Sequence, residues 1–92
     1  MYIYTKNDYK VLTNIIDEDM NKGTNKLNGV TIKHICEKTN LSDKKVRIAI
    51  KHFLEDKMVQ NGLSDGRSQT FYLTDTGIQE IININNSIIE EE

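Results

Sequence analysis

The spacing of apolar residues changes twice along this chain, and those changes restrict its fold more than any other feature. Up to about Lys57 the apolar residues recur every three or four positions, as along one face of a helix. From Met58 to Leu73 two short stretches of β-favouring residues interrupt that rhythm, and beyond Thr74 it returns. The order predicted is helix, helix, helix, β-hairpin, helix: a mainly α chain with a small β-hairpin. Its 92 residues are enough for one domain, read as residues 1–92, and too few for an enzyme with a deep pocket between domains. A domain of this size buries only about two-thirds of the surface its unfolded chain exposes, which favours pairing with a second copy.

The first helix is expected from about Asn7 to Asn21, on a stripe of Tyr9, Leu12, Ile15, Ile16 and Met20, with Asn7 or Asp8 as its cap and Gly23 suited to a left-handed stop. A loop follows to Gly29, with Leu27 folding back on the core. A short second helix runs from near Thr31 to near Thr39 on Ile32, Ile35 and Cys36. Asn40-Leu41 makes a tight turn, and Ser42 caps a third helix reaching about Lys57, with Val46, Ala49, Ile50, Phe53 and Leu54 facing inward. Met58 to Gln60 and Thr70 to Leu73 read as the strands of a hairpin, joined by a polar loop with an Asp65-Gly66 turn signal. Thr74 caps a last helix striped by Ile78, Ile81, Ile82, Ile88 and Ile89, and Ile84 falls off that stripe.

A net charge of −2 looks unsuited to nucleic acid, but the charge is unevenly placed. Residues 33–57 are net +3, whereas residues 75–92 hold only Asp75, Glu80, Glu90, Glu91 and Glu92, net −5. Local charge, not the total, decides what one face can bind. No run approaches the ~18 apolar residues of a membrane span. The stretch from Met1 to Lys6 has no apolar signal core, and the lone Cys36 cannot form an internal disulfide. These features together point to a cytoplasmic protein that does not engage a membrane.

Two helices joined by a short turn, then a hairpin and a helix, is the order of a winged helix-turn-helix. The helix-turn-helix falls at about 31–57, the wing at about 58–74 and the C-terminal helix at about 75–89. Thr31-Ile32-Lys33-His34-Ile35-Cys36-Glu37 resembles the first helix of the motif. Leu41-Ser42-Asp43-Lys44-Lys45-Val46-Arg47 resembles the turn and the start of the reading helix in many bacterial regulators. Phe53-Leu54-Glu55-Asp56-Lys57-Met58-Val59 resembles the helix end and first wing strand, although a glycine usually stands where this chain has Lys57. Gly66-Arg67-Ser68, followed by Phe71-Tyr72-Leu73-Thr74-Asp75-Thr76-Gly77, is similar to the wing tip, second wing strand and final cap of the TubR proteins. These are centromere-binding adaptors of tubulin-like plasmid and phage partition systems. Regulators of the ArsR and MarR kinds share the pattern more loosely. The resemblance implies three helices, a two-stranded wing and a C-terminal helix. It also implies a homodimer on repeated sites of double-stranded DNA, a tubulin-like GTPase filament as partner, and repression of its own operon. In TubR proteins the recognition helices themselves take part in the dimer contact. The richness in Ile, Asn and Lys, all encoded by A/T-rich codons, fits a bacterial or phage source.

The residues support DNA binding without the family name. Ser42, Lys44, Lys45 and Arg47 stand at the start of the third helix, where backbone N–H groups and the helix dipole favour phosphate. The lysines add point-charge contacts, and the planar fork of Arg47 can grip phosphate or read a guanine edge. Lys51 follows on the outward side. Gly66, Arg67 and Ser68 form the wing tip, from which Arg67 can reach an adjacent minor groove, most easily a narrow A/T-rich one. Any single lysine here is as easily a solvated charge; the coincidence of helix and wing is what shifts the reading. Ile48 points almost opposite the inward stripe of its helix. It marks a dimer surface, although it could also meet a thymine methyl or do nothing; Ile84, off the stripe of the last helix, gives a second dimer surface.

Catalytic or metal chemistry finds no foothold. His34 and Cys36 are two apart on a helix and point to different faces, so they cannot share a metal. Cys36 reads as an inert core residue, and His52, with only Glu55 and Asp56 as weak partners, as a surface residue. No Gly-rich phosphate loop, nucleophile elbow or paired-carboxylate pocket is present. Packing explains Tyr2, Tyr4, Tyr9 and Tyr72 better than stacking on bases. The expectation is a non-enzymatic DNA-binding protein without metal or cofactor, first a partition adaptor. A transcriptional repressor of the ArsR or MarR kind comes second, and a winged helix used only for protein contacts third.

Overall fold

The computed structural model describes residues 3–16, 23–64 and 66–91, with residues 85–91 described for their helical backbone alone. Along the chain lie α1 (Lys6–Thr13), a 3-10 turn at Lys26–Asn28, β1 (Val30–Thr31), α2 (Ile32–Thr39), α3 (Asp43–Glu55), β2 (Val59–Asn61), β3 (Thr70–Leu73) and α4 (Asp75–Glu91).

Thr5, rather than Asn7 or Asp8, is the N-cap of α1. Its Oγ1 accepts from the Asp8 N–H at 3.3 Å, and the Asp8 carboxylate accepts from the Thr5 N–H at 2.8 Å. This reciprocal box pairs two donors that a helix start otherwise leaves unmet. The helix closes at Thr13 instead of running to Asn21. Asn14 Nδ2 donates to the Lys10 carbonyl at 2.7 Å, a local bond that competes with another helical turn. Residues 17–22, with Met20 of the expected stripe and the expected helix end at Asn21, lie outside the described residues.

The helix pair α2–α3 is set by polar residues at each end. Thr31 caps α2 by accepting from the His34 N–H at 3.1 Å, and Asn40 turns the chain at φ 58, a conformation that asparagine tolerates. Ser42 caps α3 as expected, accepting from the Lys45 N–H at 3.2 Å. The helix ends at Glu55, short of the expected Lys57. There the Lys57 N–H donates to the Leu54 carbonyl at 3.2 Å and the Met58 N–H to the Phe53 carbonyl at 2.9 Å. This is a Schellman closure, with Lys57 at φ 61 in the position that usually calls for glycine.

The wing is part of a three-stranded sheet rather than a free two-stranded hairpin. Central β3 runs antiparallel to β2, pairing Val59 with Leu73 and Gln60 with Tyr72, and antiparallel to β1, pairing Val30 with Phe71. β1 has two residues, too few to show an alternating pattern in sequence. β2 sits one residue later than the expected Met58 to Gln60. Thr74 joins sheet to helix: its hydroxyl donates to the Lys57 carbonyl at 2.6 Å and accepts from the Gly77 N–H at 3.1 Å. Gly77 is required because a Cβ there would lie 2.1 Å from the Met58 carbonyl oxygen.

One core collects Val11, Leu12 and Ile15, Ile32 and Ile35, the inward face of α3, and Val30, Val59, Phe71 and Leu73 of the sheet. Tyr4 lies flat on Phe53 with ring centroids 4.7 Å apart. Its hydroxyl sits between the His52 carbonyl and the Asp56 carboxylate. Burial, then the bond to Asp56, pushes that phenol above its ordinary range. Two residues expected in the core face outward. Leu27 is 75% exposed, because the Asn25 side chain accepts from the Leu27 and Asn28 N–H groups and holds the 3-10 turn with Leu27 on its outer side. Ile82 is 45% exposed, since Ile78 and Ile81 are the residues of α4 packed on the core and Ile82 lies about 70° round the helix from their midpoint. The side chains of Ile88 and Ile89 lie outside the described residues. A helix pair, a hairpin and a closing helix on one core make this a winged helix.

A left-handed backbone costs a non-glycine residue on the order of 1 kcal/mol. Lys57→Gly should therefore raise stability by roughly 0.5–1 kcal/mol after the extra freedom of the unfolded chain is subtracted. Thermal unfolding followed by circular dichroism should show a midpoint a few degrees higher. An unchanged or lower midpoint would mean that the lysine side chain itself holds the wing.

Candidate nucleic-acid interface

Because α3 buries Val46, Ala49, Ile50 and Phe53, its outward face is fixed. At about 100° per residue that face centres on Lys44, Ile48 and Lys51, with Arg47 on one flank and Lys45 on the other. All five are exposed. The two flanks look at different parts of the molecule.

Arg47 faces the wing. Thr31, Ile32, Lys33, Asp43, Arg47, Arg67, Ser68 and Gln69 line an open groove of about 440 Å³ between α2, α3 and the wing. Two arginines far apart in sequence thus share one hollow. Gly66 makes the turn before Arg67 at φ 63, with open space where a Cβ would stand. Arg47 Nε donates to the carboxylate of Asp43, one turn earlier on α3. Lys45 and Ile48 face the other way. With Thr5, Asn7, Asp8 and Leu41 they line a smaller hollow of about 200 Å³ against the start of α1. Ile48 is 44% exposed. Lys44 and Lys51 stand on the ridge between the two hollows, and Ile84, on α4, is half-buried.

The residues named from the sequence therefore separate. Arg47, Arg67 and Ser68 meet in one groove, Lys45 and Ile48 in another, and Ser42 spends its hydroxyl on the α3 cap. Lys33 was missed. It is the second residue of α2 and lines the arginine groove; the signal that could have found it is its place as the first cation of the positive middle segment.

The described tyrosines make contacts within the protein. The Tyr4 ring lies 5.8 Å from that of Tyr9 and stacks on Phe53, and the Tyr72 hydroxyl donates to Gln60 across the wing strands at 2.8 Å. Tyr2 lies outside the described residues. His52 is half-buried rather than on the surface, with Nδ1 3.9 Å from Glu55. Among the described residues, no group of three or more His, Cys, Asp or Glu is placed to hold a metal, and no helix is long and apolar enough to cross a membrane.

No protein-family model matches the chain. It is 38% identical over 79 residues to the DNA-binding protein TubR of Clostridium botulinum C phage, a match spanning 86% of this chain and 94% of that protein. Its structure superposes on the solution structure of the DNA-binding TubR fragment from Clostridium botulinum with a TM-score of 0.69 at 35% identity, covering 90% of this chain and 99% of that one. A crystal structure from Archaeoglobus fulgidus superposes with a TM-score of 0.75 at 29% identity, covering 98% and 92%. The transcriptional regulator PcaV of Streptomyces coelicolor gives a TM-score of 0.76 at 18% identity, covering 95% of this chain and 57% of that one. At that identity the likeness shows the fold alone.

Cys36, on α2, is partly buried and packs against the core, which gives a check on that packing. Burial, then the nearby Asp43 carboxylate, pushes its thiol above the ordinary value, with Arg47 opposing. Iodoacetamide at pH 8 should therefore alkylate Cys36 more slowly than free cysteine, because less thiolate is present and access is narrow. A rate equal to that of free cysteine would contradict the described packing.

Proposed function

Because the chain belongs to the TubR family, we propose that it is a cytoplasmic, dimeric, sequence-specific binder of double-stranded DNA. Each copy contributes one winged-helix domain. It coats repeated sites, A/T-rich at the wing contact, in a plasmid or phage centromere. It links them to a tubulin-like GTPase filament and represses its own operon. The observation that carries the DNA reading is the groove in which α3 and the wing bring Arg47 and Arg67 together beside Lys33. Phosphate and base edges both suit guanidinium forks, while Lys44, Lys45 and Lys51 supply point charges along the helix. The reading assigns no catalytic role and calls for no cofactor.

Ile48 marks the proposed dimer contact on α3, and Ile84 a second surface for it on α4. Ile48 is an exposed apolar residue in the middle of a basic helix, and two-fold pairing through that helix would cover it. The helix would then address the major groove by its N-terminal end, where Ser42 and Lys44 stand.

A footprint on the DNA flanking the protein's own gene tests the role. Several evenly spaced protected repeats are expected; a single palindrome would favour the simple repressor instead. Affinity should fall steeply with salt, with a log–log slope of about −5 to −9 for roughly 6–10 neutralised phosphates. Lys44→Ala or Lys45→Ala should flatten that slope by about one unit, and salt-independent binding would sink the electrostatic reading. Ile48→Glu should split the dimer in the absence of DNA, since two like charges in a desolvated seam cost several kcal/mol. A variant that sediments as an intact dimer would remove Ile48 from the interface.

A further inference from the structure

An acid sits where the proposed function calls only for bases. Asp43 lines the groove shared by Lys33, Arg47 and Arg67, and a carboxylate there opposes the approach of phosphate. Stability accounts for only part of it: an acid in the first turn of α3 suits the positive end of the helix, but that does not require a bond to Arg47. The Asp43–Arg47 pair is one helical turn apart, with side chains 61% and 64% exposed, and such exposed pairs contribute little to the fold. The first turn of α3 also has Ser42 as its cap.

The geometry of the pair is more informative. Asp43 accepts from Arg47 Nε, the donor on the stem side of the guanidinium. The terminal amino groups form the edge that reads guanine or grips phosphate in two-point fashion. A carboxylate on Nε leaves the terminal amino groups unengaged by it and biases the long side chain toward one arrangement, so less order has to be imposed on binding.

We propose that Asp43 is a positioning residue: its carboxylate holds the Arg47 guanidinium at the wing side of α3 and thereby sets how sharply the protein distinguishes DNA sequences. This rests on the DNA-binding reading above. Two effects of Asp43 then oppose each other. Its charge weakens binding to any duplex, and its hydrogen bond strengthens binding to the right one.

The test compares the wild type with Asp43→Ala and Asp43→Asn. The probes are a duplex selected by the wild type from a random library and a scrambled duplex of the same composition. Both variants lose the same charge, but asparagine keeps an acceptor for Nε. Asp43→Ala should bind the scrambled duplex at least as tightly as the wild type does, and the selected duplex more weakly. Its selected-to-scrambled ratio should fall by roughly tenfold, the order of one good base contact. Asp43→Asn should keep most of the ratio, and Arg47→Ala combined with Asp43→Ala should lose no more than Arg47→Ala alone. A ratio unchanged in Asp43→Ala, or lost equally in Asp43→Asn, overturns the positioning role while leaving DNA binding intact. Selection that enriches no sequence overturns it too. A wild type that binds neither duplex overturns the DNA reading beneath it, which is a separate and recognisable result.

Discussion

A helix of thirteen residues buries Val46, Ala49, Ile50 and Phe53 on one side and leaves Lys44, Ile48 and Lys51 exposed on the other. That division of α3 governs the rest of the molecule. α1, α2 and β2 all close on its inward face. Phe53 is fully buried beneath Tyr4. Since the helix cannot turn without exposing that face, Lys44, Ile48 and Lys51 are held outward. The presented surface follows from the core.

The second constraint is the passage from helix to wing. The Schellman closure at Lys57 reverses the chain within two residues, and the Thr74 hydroxyl returns from β3 to bond the Lys57 carbonyl. β1 adds a third strand against the far edge of β3. The wing therefore leaves a sheet that is fastened on both sides, and the backbone bonds of that sheet place Arg67 relative to Arg47. A residue in a strained conformation at the pivot fits this account: the surrounding bonds outweigh the preference of lysine for negative φ.

Local chemistry was legible where it is set by neighbours in sequence. Ser42 capping α3, Thr74 opening α4 and the β3 span Thr70–Leu73 are readable because each depends on a few adjacent side chains. Sequence and structure differ where distant or competing bonds decide. Thr5 takes the cap from Asn7 and Asp8 because a box needs its partner three residues on. Asn14 stops α1 by bonding backward. Asn25 turns Leu27 out of the core, and Ile82 faces solvent because nothing in α4 alone says how wide its buried face is.

The candidate site divides in the same way. Sequence alone could name Arg47, Arg67 and Ser68 as basic or polar residues at a helix start and a loop tip, since helical period and turn chemistry are local properties. It could also mark Ile48 as lying off the inward stripe. Tertiary structure alone placed Arg47 and Arg67 around one groove, brought Lys33 from α2 to its wall and set Lys45 beside the start of α1. The reason is physical. Periodicity tells which way a side chain leaves its own helix, whereas a groove exists only between elements whose relative position is fixed by a shared core.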